Sequence, residues 1–248
     1  MRRIPIKKSK DLENPKSIYD YIKKPVRKVI NNAVSQTGEI PSAKSGRMVS
    51  YESGIEADFA QILEFDKNVE YFIEQPLKIP YIGEDGKQHE YTPDFLAYYN
   101  PHVSPGKHFP PTLFEVKPIR KLESDARVLE YKFAAAKKFA EEKQWRFLIM
   151  TENEIRTPYL ENVKFFLRYK YETETEEGLV ATVMETLEKL KEATPWEIIA
   201  AATSNTVRRA QLLYTLWCLL AHGFIGCNLN EKINMQSILW HKTASMYD

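Results

Sequence analysis

The sequence predicts an α/β protein, a mixed β-sheet flanked by helices, followed by a second, all-helical domain. Three observations lead there. Over roughly residues 50–155 the apolar pattern runs helix, strands, strand, helix, strand, and a helix between two strands lets those strands pair in parallel. The run Glu172-Thr173-Glu174-Thr175-Glu176-Glu177-Gly178 is the sharpest composition shift in the chain and is expected to mark a domain boundary. Beyond it, apolar residues recur at helical spacing before a short, alternating C-terminal stretch.

The length of 248 residues suits one large domain or two modest ones, and 43% hydrophobic with 28% charged residues is ordinary for a soluble globular protein. No apolar run approaches the roughly 18 residues of a spanning helix, and the N-terminus lacks the apolar centre of a signal peptide. A cytoplasmic protein that does not enter a membrane is the expectation. Cys218 and Cys227 have no metal-ligand spacing and are expected to be reduced and structural. The net charge of +1 conceals a basic arm over residues 1–28, with Arg2, Arg3, Lys7, Lys8, Lys10, Lys16, Lys23, Lys24, Arg27 and Lys28 against Asp11, Glu13 and Asp20. Such an arm suits a phosphate backbone, where each neutralised phosphate releases counterions, and it equally suits a solvated tail.

In chain order, residues 29–50 read as a polar, irregular lead-in containing Asn31-Asn32 and Ser35-Gln36-Thr37-Gly38. A helix is expected from Ser50 or Ser53 to about Phe65, on the spacing of Ile55, Phe59, Ile62 and Leu63. Glu56 falls on the side of Phe59, Ala60 and Leu63. Ser53-Gly54-Ile55-Glu56 also fits a capping box, and taken alone capping is the stronger reading of Glu56. Residues 69–76 and 77–81 read as a strand pair or one bent strand, and a turn at Gly83-Glu84-Asp85-Gly86 leads into a strand holding Asp94. The proline-rich stretch Asn100 to Pro111 is a loop whose His102 and His108 are candidates for DNA or metal contact, though loop histidines are more often solvated. Ser124 to Lys143 is expected to be an amphipathic helix with Val128, Leu129, Tyr131, Phe133, Ala134 and Phe139 as its apolar side. Residues 145–150 then form a buried strand parallel to the one holding Glu115.

Residues 160–169 are expected to be helical and to close the first domain. After the acidic run, helices are expected over 179–191, 194–202 and 206–222, then short segments 227–229 and 232–238. Three helices followed by a small hairpin is a winged-helix pattern. The stripe Leu212, Leu213, Leu216, Trp217 and Leu220 reads as core, and Arg208 and Arg209 suit either phosphate contact or a solvated face. The expected division is a basic arm and lead-in over 1–50, a catalytic domain over 51–171, an acidic linker over 172–178 and a winged-helix-like domain over 179–248.

The chemistry points to Tyr91-Thr92-Pro93-Asp94-Phe95 and Thr112-Leu113-Phe114-Glu115-Val116-Lys117. Side chains alternate along a strand, so Glu115 and Lys117 point one way and Phe114 and Val116 the other. Glu115 and Asp94 can share Mg2+, a hard cation that takes oxygen ligands, and Lys117 can hold or help deprotonate the attacking water. A hydrolase using two metal ions needs sequence-distant carboxylates to hold cations roughly 4 Å apart. In that company the inward side of the helix favours Glu56 as a further ligand. No Gly-x-Ser-x-Gly, phosphate-binding glycine loop, His-Glu-x-x-His or Cys-x-x-Cys pair competes.

These residues resemble the PD-(D/E)xK nuclease superfamily, and more closely the TnsA endonucleases of heteromeric transposases. The likeness rests on Ser53-Gly54-Ile55-Glu56-Ala57-Asp58-Phe59, Leu63-Glu64-Phe65-Asp66, Glu74-Gln75-Pro76, Tyr91-Thr92-Pro93-Asp94-Phe95 and Phe114-Glu115-Val116-Lys117-Pro118. It implies a restriction-endonuclease-like fold, with Glu56, Asp94 and Lys117 as the family's functional residues. Glu115 stands where some members have glutamine, and the resemblance implies the backbone carbonyl of Val116 as a further metal ligand. It also implies Mg2+, replaceable by Mn2+ and present as two ions, and nicking of the 5′ strand at transposon ends in double-stranded DNA. The implied partners are a TnsB-like transposase and, through the C-terminal domain, a TnsC-like AAA+ regulator. The alternatives are a stand-alone restriction or repair nuclease and an inactive DNA-binding scaffold.

Overall fold

The computed structural model describes residues 2–5, 20–27, 36–102, 109–171 and 174–242. Lys7, Lys8, Lys10, Lys16 and Lys28 of the basic arm, Asn31-Asn32, Ser35, His108 and Glu172-Thr173 lie outside them. Strand β1 (Arg3–Pro5) opens the chain, followed by β2 (Gly38–Ser42), β3 (Arg47–Tyr51), α1 (Gly54–Phe65), β4 (Val69–Glu74), β5 (Ile79–Ile82), β6 (Gln88–Tyr91), β7 (Phe95–Tyr99) and β8 (Thr112–Val116). Next come α2 (Ile119–Ser124), α3 (Ala126–Glu142), β9 (Arg146–Met150), α4 (Glu152–Ile155) and α5 (Pro158–Lys170). The chain continues with β10 (Glu174–Glu176), α6 (Glu177–Leu190), β11 (Glu192–Ala193), α7 (Pro195–Ala202), α8 (Thr206–Ala221), β12 (Ile225–Cys227) and β13 (Leu239–His241). It gathers into two compact units, one of Ser17–Arg156 and one joining Met1–Lys16 to Thr157–Asp248.

The first unit is built on a four-stranded sheet in the order β4-β7-β8-β9. The first two pairings are antiparallel, and β8 runs parallel to β9 with Glu115 opposite Ile149. The parallel pair requires a long crossover, and α2 with α3 supplies it, as the sequence predicts. Alternation along the strands sorts the two faces. Tyr71, Ile73, Leu96, Tyr98 and Leu113 pack with Ala136 and Ala140 of α3. On the other face Phe59 of α1 lies with its ring 5.7 Å from Phe95 and 4.9 Å from Phe114. Glu115 shares the face of Leu113 and therefore projects toward the α3 side of the sheet.

Several local expectations are corrected. The lead-in is not all irregular, because β2 and β3 form an antiparallel hairpin from Gly38 to Tyr51. Strand β4 pairs with β7, whereas β5 pairs with β6 around the Gly83–Gly86 turn. Between them Gln75 takes a φ of 43°, which turns the chain out of the sheet before Pro76. Strand β9 is half-buried rather than buried because it is an edge of the sheet. Helix α3 buries Leu129, Ala136 and Ala140, while Val128 and Tyr131 are exposed, so its buried side is narrower than the apolar spacing predicts. The described residues 20–27 of the arm pack on the first unit. Tyr21 stacks on Tyr71 at 4.7 Å, and Val26 N–H donates to the Gln75 carbonyl at 3.0 Å.

In the second unit the acidic run is more than a linker. Strand β10 pairs with β1, setting Arg3 opposite Glu176, and Arg2 lies 3.7 Å from Glu177. The basic end of the chain thus meets its acidic run. Helix α5, expected to close the first domain, packs here against α8, with Phe165 and Tyr169 edge-on to Trp217 and Tyr214. Thr194 and Glu197 form a full capping box at α7, and Asn205 caps α8. The unit is not all-helical, because β11, β13 and β12 make a three-stranded antiparallel sheet. Residues 232–238, expected as a strand, are instead held by turns. Asn162 is 2% exposed and pins this stretch, donating to the carbonyls of Leu229 at 2.9 Å and Glu231 at 2.7 Å and accepting from Ile233 N–H at 2.9 Å. Neither Cys218 nor Cys227 is in a disulfide, as expected.

Candidate active site

The site lies where β8 ends. Pro118 cannot donate to the ladder, so pairing stops at Lys117, whose N–H donates to the Met150 carbonyl at 3.0 Å. Strand alternation puts Glu115 and Lys117 on one side, and the Lys117 ammonium donates to Glu115 Oε1. The other carboxylate oxygen accepts from Tyr91 Oη at 2.6 Å. Glu115 is 2% exposed, so burial requires both partners.

Asp94 is not within a strand. It occupies a bend between β6 and β7, where its Oδ2 accepts from Val116 N–H at 2.7 Å and its carbonyl accepts from Gln75 N–H at 2.8 Å. Oδ1 of Asp94 takes no hydrogen bond among the described residues. Glu56 is half-buried in the first turn of α1 and fulfils the capping role in part, since its side chain reaches Glu52 N–H rather than the backbone N–H of the cap residue Ser53. Its Oε1 accepts from Ser53 Oγ at 2.8 Å and its Oε2 from Glu52 N–H at 2.7 Å, while Ser53 Oγ accepts from Glu56 N–H.

Electrostatics ties these groups together. Burial, then the charges of Glu115 and Glu56, hold the Asp94 carboxyl well above the usual carboxylate range, against the pull of Val116 N–H and Lys117. Glu56 is raised by burial and by Glu52 and Glu115, against its two hydrogen bonds. Burial works against the charge of Lys117, but Glu115, Asp94 and Glu56 outweigh it and raise its pKa. Lys117 is therefore a firmly held cation among acids that repel one another.

The structure thus brings Asp94, Glu115, Val116 and Lys117 together, with Glu56 near enough to raise Asp94. His102 is exposed and away from this contact network, its N–H held by Asn100 Oδ1 at 2.9 Å. Among the described residues no group of three His, Cys, Asp or Glu side chains is gathered so as to hold a metal ion. Sequence reasoning gave no role to Tyr91, Gln75 or Glu52. Gln75 is 6% exposed, links Asp94 to the approach of α1 through Nε2 on Glu52 Oε1 at 3.2 Å, and leaves its own Oε1 without a partner. The signal for Tyr91 was its place in Tyr-Thr-Pro-Asp, since a tyrosine at the end of β6, three residues before the acid in the following bend, can reach the same site.

A family model described as the TnsA-like endonuclease N-terminal region matches residues 66–152, and one described as the TnsA endonuclease C-terminal region matches residues 154–229. The chain belongs to the TnsA endonuclease family. The first match takes in Asp94, Glu115, Val116 and Lys117 and begins after Glu56. Among curated proteins no relative matches. As a TnsA-type protein the chain is a DNA endonuclease of a transposition system, and no described helix is long and apolar enough to cross a membrane.

Proposed function

We propose that this TnsA-type protein is the Mg2+-dependent subunit of a heteromeric transposase that nicks the 5′, non-transferred strand at transposon ends. The reading is carried by one observation: Asp94, Glu115 and Lys117 converge at the end of β8, the acids crowded enough to raise Asp94 and the lysine held as a cation.

The donor set fits a hard divalent cation in part. Asp94 Oδ1 is free to ligate among the described residues, Glu115 adjoins it, and the Val116 carbonyl adds an uncharged oxygen. Mg2+, with Mn2+ as substitute, would neutralise the mutual repulsion of these acids. Each Glu56 oxygen already accepts one hydrogen bond, from Ser53 Oγ or Glu52 N–H, and keeps a second lone pair with which it could join. When bound, one or two such ions polarise the phosphodiester and lower the pKa of bound water. The chain's own groups do the rest. Lys117, with its pKa raised, acts as a fixed hydrogen-bond donor to the attacking water or a phosphate oxygen rather than as the base. Tyr91 keeps Glu115 oriented, and Val116 N–H keeps Asp94 turned toward β8.

In the second unit the order α6-β11-α7-α8-β12-β13, with sheet order β11-β13-β12, supports the winged-helix reading. Trp196 at 57% and Val207 at 72% exposure support protein docking there, to a TnsC-like regulator, over base reading. Arg209 is spent on the Thr203 carbonyl at 3.0 Å, which leaves Arg208 as the exposed cation of the pair. The test is cleavage of end-bearing duplex in Mg2+ or Mn2+, with and without a TnsB-like transposase and a TnsC-like regulator, mapping the nicked strand. Nicks on the 5′ strand at the ends support the proposal, and cutting confined to the 3′ strand or to unrelated DNA without partners overturns it.

A further inference from the structure

A cleft of about 720 Å3 opens beside Lys117, between the end of β8 and the start of α3. Its polar lining is Lys117, Glu123, Ser124, Asp125, Arg127 and Lys132. Ligands of open α/β sheets sit outside the carboxyl ends of the strands, and this cleft lies where β8 leaves the sheet. Arg127 and Lys132 have no ion-pair or hydrogen-bond partner among the described residues. Both lie on α3, five residues apart, or about 7.5 Å along the helix axis. Each ends a long flexible stem, so the two heads can meet different groups of one extended ligand. The exposed Val128 between them, 52% accessible, adds an apolar wall that no helix partner covers. Glu123 and Asp125 also face the cleft, and Asp125 Oδ1 accepts from Ser124 Oγ at 2.8 Å. The cleft is therefore not a uniformly positive surface. Its attraction is concentrated at three cationic heads, one of them Lys117.

We infer that this cleft seats the phosphodiester backbone of the DNA strand running past the reacting bond, with Arg127 and Lys132 as its phosphate contacts. The inference rests on the endonuclease reading of the β8 site and adds the path of the substrate to it. Charge selects the occupant: two unpartnered cations next to the lysine that faces the scissile group suit a polyanion that must itself pass Lys117. The same cations would also attract an acidic peptide, and that alternative is separated by the test below. Glu123 and Asp125 then act as a brake, weakening the hold on any backbone that lies along the cleft.

Salt dependence is the readout, because each phosphate contact contributes about 0.9 to the slope of log K against log salt on duplex DNA. Binding of the full chain to an end-bearing duplex and to an unrelated duplex is measured by fluorescence anisotropy across a salt series, in chelator so that no cutting occurs. Arg127→Ala with Lys132→Ala is expected to lower the slope by about 2 on both duplexes and to weaken binding on both alike. Arg127→Gln with Lys132→Gln, which keeps the stems, is expected to do the same and guards against a folding defect in the alanine pair. Glu123→Gln with Asp125→Asn is expected to shift affinity the other way. An unchanged slope in both double variants overturns the inference. So does an unchanged DNA affinity in those variants accompanied by lost binding of an acidic peptide. Cleavage by the wild-type chain separates the two readings: if it cuts and the slope does not move, the cleft assignment alone fails. If neither it nor its complex cuts DNA, the endonuclease reading fails whatever the slope.

Discussion

Tyr91→Phe isolates one contact of the site. The hydroxyl donates to Glu115 Oε2 at 2.6 Å, between a tyrosine that is 6% exposed and a glutamate that is 2% exposed. Removing it leaves a buried carboxylate with the Lys117 ammonium as its remaining donor, where water has little access. A hydrogen bond to a charged group contributes about 1.5–3 kcal/mol, against about 0.5–1.5 kcal/mol for a neutral one. Tyr91→Phe in metal-free buffer is therefore expected to cost about 1.5–3 kcal/mol. At roughly 2–4 °C per kcal/mol for a chain of this size, the fall in melting temperature is about 3–12 °C. The decisive assay is a double-mutant cycle with Glu115→Gln, read by denaturant or thermal unfolding. In the Glu115→Gln background the same change is expected to cost about 1 kcal/mol less, because the acceptor is neutral. Equal costs in both backgrounds would refute the reasoning and make the loss a matter of packing.

Asp94→Asn removes a carboxyl whose folded pKa lies above its unfolded one. The ionised acid thus costs stability that is absent below the ordinary carboxylate range and grows as pH rises through and above it. The variant's advantage over the wild type in chelator should widen as pH rises above the ordinary carboxylate range, and Mg2+ should stabilise the wild type more than the variant; a gap that narrows with pH would count against the crowded-acid account. Gln75 sits at a φ of 43°, so a β-branched Gln75→Val should lose about 1–3 kcal/mol while Gln75→Gly and Gln75→Asn lose less, an order that unfolding curves report directly. Asn162→Ala strands the groups that hold residues 229–233. It should lower the stability of the C-terminal unit by about 1–3 kcal/mol, with faster amide exchange at Ile233 as its local mark.

The sheet was legible because its pattern is local. Alternation in Leu113-Phe114-Glu115-Val116 sorted the faces, and one helix between two strands fixed the parallel pair. The Pro-Asp and Glu-x-Lys spacing gave the site. Partner choice was not local: nothing in residues 69–81 states that β4 pairs with β7 while β5 pairs with β6, since the left-handed turn at Gln75 decides it. The pairing of β1 with β10 joins residues far apart in sequence, and only their opposite charges hinted at it. Asn162 gave no signal at all, because a polar residue in an amphipathic helix usually faces water. Glu56 shows the limit of orientation arguments. It lies beside the other acids, as inward placement predicts, yet its oxygens accept from Ser53 Oγ and Glu52 N–H at the start of the helix.

The central claim is that Asp94 and Lys117 carry out the cutting. It is tested most directly by strand cleavage of end-bearing duplex in Mg2+, supplied with transposase and regulator partners, comparing wild type with Asp94→Ala and Lys117→Ala while complex assembly is followed in parallel. Loss of nicking in both variants with assembly intact is the predicted result. Unchanged nicking by Asp94→Ala would contradict the account.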